Sequence, residues 1–201
     1  MKNLHTHLQE LAHADHARPA LLVCDSAGNR EEEISRAALL AKVEDAAAYL
    51  HSKGLRAGDK IALEYANSAE LLIVSWAAWV SGIVTVPLDT KRDTAELREY
   101  KLRVSGAVQT LAEGAVVAPH SKNTPAWMPG LSHEALILFT SGTTAHPKGA
   151  RLALQNLVVN AEGICAWLNI VVNDRFLVEL PLHHINSTVF CLASLLAGAS
   201  I

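Results

Sequence analysis

Cysteine is scarce and poorly placed for cross-linking. The three thiols, Cys24, Cys165 and Cys191, are odd in number and far apart. No Cys-x-x-Cys pair or zinc-like Cys/His spacing occurs, so neither a disulfide framework nor structural zinc is implied. A reducing, cytoplasmic compartment is the expectation. A dominant charge is missing too: a formal charge of −3 and a pI near 6.3 over 201 residues give no reason to expect nucleic acid or an anionic membrane as partner. The stretch Met1-Lys2-Asn3-Leu4-His5 lacks the apolar core of a signal peptide. The most membrane-like run, Leu71 to Leu88, is interrupted by Ser75, Ser81, Gly82 and Pro87. At roughly eighteen residues it is marginal for a bilayer, and it reads as a buried helix followed by a buried strand. There is no internal repeat and no low-complexity tract.

What is present in excess is apolar surface. Half the residues are hydrophobic and the mean hydropathy is +0.19. That suggests surface meant to be covered by further chain, on a length that allows one large core or one and a half ordinary domains.

The leucines Leu4, Leu8 and Leu11 recur at helical spacing, and His5, His7, His13 and His16 read as solvated positions on that helix. Pro19 ends it. Ala20 to Cys24 and a strand through Glu33-Ile34 flank the turn residues Asp25 to Asn29, as in a hairpin. Ser35 is placed to cap a long helix that stops at Lys53-Gly54. Ile61 to Tyr65 reads as a strand, and Asn67 with Glu70 as a capping box before the helix Leu71 to Val80. Trp76 and Trp79 on that helix read as core. Ile83 to Val86 is a β-branched strand ended by Pro87. This strand–helix–strand order predicts a parallel α/β sheet. Thr94 to Val104 reads as a charged surface helix, and Ala107 to Leu111 and Ala115 to Ala118 as short strands. The polar, proline-containing link His120 to Gly130 carries Trp127 as a candidate anchor.

The chain is organised around Leu136 to Gly149. A short apolar strand empties into Thr140-Ser141-Gly142-Thr143-Thr144-Ala145-His146-Pro147-Lys148-Gly149. Small residues at Gly142 and Ala145 let a bulky anion approach backbone N–H groups, four hydroxyls add donors, and Lys148 adds a compact positive charge. No acidic residue intervenes. The P-loop pattern is rejected because Lys148 is followed by Gly149 and then by strand-like alternation through Leu154, with no helix opening behind the loop. From chemistry alone the stretch is either a polyphosphate cradle or an ordinary polar hairpin turn, with Gly149 turning the chain back.

After the hairpin, Gln155-Asn156 begins a helix carrying Val158, Val159, Ile164 and Trp167. Asn173-Asp174 turns into a strand Arg175 to Leu180. Pro181-Leu182-His183-His184-Ile185-Asn186 then precedes an apolar helix, Val189 to Leu196. Gly198 ends it, and Ala199 to Ile201 begins a strand. A boundary in the first residues of a strand is unusual, so a longer protein is expected. Two adjacent histidines between a strand end and a helix could face a cleft and bond a carboxylate or carbonyl. From the residues alone the simpler reading is that His183 packs and His184 merely caps the next helix.

Thr140 to Gly149 resembles the signature loop of the adenylate-forming superfamily, Thr-Ser-Gly-Thr-Thr-Gly-x-Pro-Lys-Gly; Ala145 is the departure. If that position needs positive φ, alanine costs on the order of 1 kcal/mol. Gly58-Asp59-Lys60, Asn67-Ser68-Ala69-Glu70 and Gly82 through Pro87-Leu88-Asp89 resemble scaffold words of the same superfamily in the same order. The resemblance implies the N-terminal part of the large acyl-CoA synthetase-like domain: a mostly parallel sheet flanked by helices, with a β-hairpin phosphate loop. It divides the chain at about 1–120 and 131–201.

The implied function is that of an ATP-dependent acid–CoA ligase. A carboxylate attacks the α-phosphorus of ATP, giving acyl-adenylate and pyrophosphate, and CoA thiolate displaces AMP. Thr140, Ser141, Gly142, Thr143, Thr144 and Lys148 would hold the phosphates, with Thr144 near Mg²⁺. Pro181 to His184 resembles the family's Pro-x-Phe-His motif. His183 then stands at the aromatic position and His184 at the histidine bordering the acyl pocket. Amino-acid adenylation domains place an aspartate there to pair the substrate ammonium. No Asp or Glu occurs from Pro181 to Ile201, which argues for a plain carboxylic acid. The family's adenine contacts, magnesium-binding glutamate and catalytic lysine are expected beyond Ile201, so these residues alone should not turn over. An acyl-AMP ligase, an amino-acid adenylation domain and a non-catalytic fragment with a degenerate loop are the other readings.

Overall fold

The computed structural model describes residues 3–116, 127, 128, 130–140 and 147–201. Helix α1 (Leu4–Ala14) leads into an antiparallel hairpin of β1 (Pro19–Cys24) and β2 (Arg30–Ser35). Helix α2 (Arg36–Ser52) follows, capped by Ser35, whose hydroxyl accepts the Ala38 N–H at 3.2 Å.

The central sheet is built next. Strands β3 (Lys60–Glu64) and β4 (Val84–Pro87) are parallel and joined through α3 (Ala69–Val80). Helix α4 (Ala95–Ser105) leads to β5 (Gln109–Ala112), parallel to β3 on the other side. Strand β6 (Glu134–Thr140) pairs parallel with β4, and β7 (Lys148–Ala153) folds back antiparallel on β6. The sheet order is β5-β3-β4-β6-β7. Helices α5 (Leu154–Leu168) and α6 (Ile185–Ala197) complete the described chain. The mostly parallel α/β architecture matches the expected class.

Burial explains why these segments pair as they do. Strand β4 is enclosed along its whole length, as a parallel strand covered on both faces should be. Trp76 and Trp79 are each 1% exposed, so they are core. The Trp79 indole donates to Thr85 Oγ1 at 3.0 Å, and that hydroxyl donates to the Ala135 carbonyl at 3.1 Å. One helix and two strands are thus stitched by a fully paired polar chain inside an apolar core.

Several local expectations need correction. His5 is buried rather than solvated: its ring stacks on Trp127 at 4.0 Å and its Nε2 lies 2.9 Å from Glu44 Oε1. Trp127 therefore anchors the link to α1, and the Met128 N–H reinforces it on the Val80 carbonyl at 2.9 Å. His7 is partly buried, whereas His13 and His16 are exposed as expected. Helix α4 is less of a surface helix than its charge suggests, since Lys101 and Ser105 are buried. Ala115 and Val116 are not in a strand, and the rest of that expected strand lies outside the described residues.

Arg175 to Leu180 is not a strand either. It makes a single parallel bridge, Arg175 to Ser200, and a ladder needs successive partners. Ile201 instead bonds to β1, accepting from the Leu22 N–H at 2.7 Å and donating to the Ala20 carbonyl at 2.9 Å. Among the described residues no helix is long and apolar enough to cross a membrane.

Candidate functional site

Because β3, β4 and β6 run parallel, their carboxyl ends fall on one edge of the sheet. In open α/β sheets that edge is where ligands bind. Three segments leave it here: Tyr65 to Asn67 after β3, Leu88 to Asp89 after β4, and the hairpin loop after Thr140.

The loop itself is only partly described. Ser141, Gly142, Thr143 and Thr144, with Ala145 and His146, lie outside the described residues. Its two posts are described. Thr140 and Lys148 are register partners, both exposed, and the Thr140 hydroxyl donates weakly to the Lys148 carbonyl at 3.4 Å. Gly149 does not turn the chain; it lies within β7. A Cβ there would stand 3.1 Å from Ile137 Cγ2 and 3.5 Å from the Phe139 ring, so glycine makes room for the β6 side chains. At the far end of the hairpin Arg151 grips Glu134 with two 2.6 Å bonds, which hold that carboxyl below its usual range.

Helix α4 braces the loop mouth. Tyr100 donates to the Pro147 carbonyl at 3.3 Å and meets Phe139 edge-on at 6.5 Å. Lys101 Nζ lies 5.7 Å above the Phe139 ring and bonds both Asp93 oxygens, at 2.5 and 2.6 Å.

The histidine turn is held to the same edge by residues that local sequence reasoning missed. Asn67 does not cap α3; Ser68 does, accepting the Leu71 N–H at 3.2 Å. Asn67 instead clamps the turn, donating to the Leu180 carbonyl at 2.9 Å and accepting the Leu182 N–H at 2.8 Å. This bond pair spans Pro181, whose ring nitrogen has no proton to give. Glu70, the supposed capping partner, accepts the Gly114 N–H and the Tyr65 hydroxyl.

His184 occupies the N-cap position of α6 but makes no side-chain cap bond, and it is exposed. His183 is mostly enclosed, 4.5 Å ring to ring from His184. Its Nε2 faces Asp89 Oδ2 at 3.3 Å. Burial is the main influence on the imidazole and holds its pKa below the usual value, with Asp89 pulling the other way. Burial also disfavours the Asp89 carboxylate, yet the Lys91 N–H, the His183 ring and the Arg92 N–H together leave its pKa lowered.

An acidic residue therefore stands beside the histidine turn although none occurs after Pro181. The only sequence signal was the placement of Asp89 just past a parallel strand. Among the described residues no group of three His, Cys, Asp or Glu side chains could hold a metal ion.

A parallel strand-end edge that carries both the Thr140–Lys148 hairpin mouth and the histidine turn defines a class that comparison makes explicit. The model of AMP-binding enzymes matches residues 8–127 and 105–201, and the chain belongs to that family. It is 30% identical over 182 residues to the 2-succinylbenzoate–CoA ligase of Bacillus licheniformis, a match covering 81% of this chain and 38% of that protein. A feruloyl-CoA synthase of Amycolatopsis is 30% identical over 172 residues, 76% of this chain and 35% of that one. Among solved structures, the O-succinylbenzoate coenzyme A synthetase of Bacillus subtilis in complex with ATP and magnesium superposes with a TM-score of 0.83 at 27% identity. That match covers 96% of this chain and 43% of the other. The chain thus spans well under half the length of these relatives.

Proposed function

We propose that the intact protein is an ATP-dependent acid–CoA ligase, and that this chain supplies its phosphate loop and one wall of its acid site. The observation that carries the reading is the convergence of the Thr140–Lys148 hairpin mouth and the His183-His184 turn on one edge of a parallel sheet. In this reading one ligand presents phosphates to the loop and an acyl group to the histidines.

In this reading Thr140, Ser141, Gly142, Thr143, Thr144 and Lys148 bind the β- and γ-phosphates and neutralise charge as pyrophosphate leaves. Thr144 is the candidate to lie near the magnesium that accompanies ATP, and His183 and His184 border the acid. Support comes from the relatives' names as CoA ligases and from the ATP and magnesium bound in a related structure. Asp89 does not provide the ammonium anchor of an amino-acid adenylation site, because Oδ1 accepts two backbone N–H groups and Oδ2 faces His183. This favours a carboxylic acid without an α-ammonium group, and the cytoplasm remains the proposed compartment.

Titration of ATP–Mg²⁺ into the intact protein tests this. Lys148→Ala should weaken binding about tenfold or more, the loss of one charge-assisted phosphate contact. Acid-dependent pyrophosphate release should fall with it. Equal affinities in wild type and Lys148→Ala would reject the reading.

A further inference from the structure

The ligase reading sets His183 beside the acid but gives its pairing with Asp89 no task. Nε2 of His183 is enclosed and 3.3 Å from Asp89 Oδ2, but outside hydrogen-bond geometry. Asp89 is a fixed object. Its Oδ1 accepts the Lys91 and Arg92 N–H groups, both at 3.1 Å, and its own N–H bonds Asp93 Oδ2 at 3.1 Å. The backbone under His183 is equally constrained, by the Asn67 clamp and by Thr188 Oγ1, which donates to the Leu182 carbonyl at 3.0 Å.

A neutral imidazole has one donor nitrogen and one acceptor. Facing a fixed carboxylate, Nε2 must carry the proton, since a lone pair there would be repelled. Nδ1 is then the acceptor. With Nε2 sealed, the 19% of the side chain that remains accessible lies on its other atoms, and Nδ1 is not among the sealed, unpaired ones. The charged and titratable neighbours are Asp89, Asp93, Lys101, His184 and Arg92. Lys101 is taken up by Asp93. Burial, the largest influence, keeps His183 neutral at neutral pH, so the ring offers a lone pair rather than a charge.

We propose that His183, oriented by Asp89, determines substrate choice at the acid site: its Nδ1 accepts a hydrogen bond from a hydroxyl or N–H carried by the acid. The site then selects carboxylic acids bearing such a donor over plain ones. Asp89 is a positioning residue, acting only through the ring. The inference rests on the acid lying beside the histidine turn, as in the ligase reading. By the Pro-x-Phe-His resemblance, His183 replaces a phenylalanine, which would offer no acceptor.

Matched acids test it in the intact protein: 4-hydroxyphenylacetate against phenylacetate, and 3-hydroxybutyrate against butyrate, followed by pyrophosphate release. In at least one pair kcat/KM should favour the hydroxylated acid by about tenfold or more, and His183→Phe should bring that ratio to about one. No preference in either pair, or a ratio unmoved by His183→Phe, would overturn the inference. Nitrogen-15 spectra of the imidazoles give a readout independent of turnover. Wild type should show neutral His183 with the proton on Nε2 at pH 7, and Asp89→Asn should mix the tautomers. A proton on Nδ1, or an unchanged tautomer in Asp89→Asn, would overturn it as well. Release of pyrophosphate from no acid at all would instead remove the ligase reading.

Discussion

Helix α3 and the segment from Trp167 to Leu180 are both rich in apolar residues, and the fold treats them in opposite ways. Along α3, nine residues from Leu71 to Val80 are buried, and Trp76 and Trp79 have almost no accessible surface. Between Trp167 and Leu180 most apolar side chains face outward: Trp167 is 81% exposed, Leu177 86% and Leu180 60%. The same hydropathy therefore has two structural meanings. Between two parallel strands it closes a core; from Trp167 to Leu180 it forms an uncovered face, next to a histidine turn held by the buried Leu182 and by polar bonds. If so, substitutions in the first region should unfold the chain, those at the turn should act on the site, and those on the uncovered face should do little.

Trp79→Ala is expected to be the most damaging. It removes a fully buried indole and strips Thr85 of its donor, and truncations of this kind cost about 3–5 kcal/mol. Chemical denaturation measures it. A loss below about 1 kcal/mol would mean that the α3 core is far looser than its burial indicates.

Asn67→Ala comes next. Two bonds to the Leu180 carbonyl and Leu182 N–H disappear at a partly exposed place, so stability should fall by about 1 kcal/mol. The larger consequence should be local: hydrogen exchange at Leu182 and the His183 and His184 ring resonances should change while the α3 amides stay protected. Asn67→Asp keeps the acceptor for Leu182 but loses the donor to Leu180, and should fall between the two. Uniform loss of protection in Asn67→Ala would show the clamp to be part of the general core.

The pH response separates the regions again. His7, beneath the carbonyl of Leu195, and His183 are both held below the ordinary histidine pKa, each chiefly by burial. The unfolded chain therefore takes up protons that the folded chain refuses as pH falls below about 6.5, and stability drops on the acid side of that value. Denaturation midpoints at pH 7.5 and 5.5 should differ accordingly, and His7→Gln should shrink the difference. A midpoint that rises on acidification would contradict the sign.

How much of this was legible beforehand follows from the range of the interactions. Ser35 at its cap, the β3–α3–β4 crossover and the β6–β7 hairpin depend on neighbours in sequence, so spacing and residue type disclosed them. Asn67 looked like a cap because a cap is the local use of such a residue; its actual partners lie 113 and 115 positions away. His5 looked solvated because helical spacing does not show that Trp127 returns to stack on it. Asp89 was visible as a strand-end residue, but its approach to His183 depends on where α6 begins. The segment Arg175 to Leu180 had the composition of a strand and lacked only successive partners, which composition cannot report.

The smallest expected effect is Leu177→Ser. With 86% of Leu177 accessible, the substitution removes almost no buried surface, and stability should stay within about 0.5 kcal/mol of wild type. The comparison to make is with Leu136→Ser: an apolar residue of the same type, 1% exposed in β6, replaced by the same hydroxyl. That change opens a cavity and buries an added polar group, so it should cost several kcal/mol, roughly the upper part of the usual range. If the two serines cost alike, exposure does not separate the two regions and the contrast with α3 fails. If Leu177→Ser is neutral while Leu136→Ser costs several kcal/mol, the outward apolar residues contribute nothing to this chain's own fold, and burial alone separates two stretches of similar hydropathy.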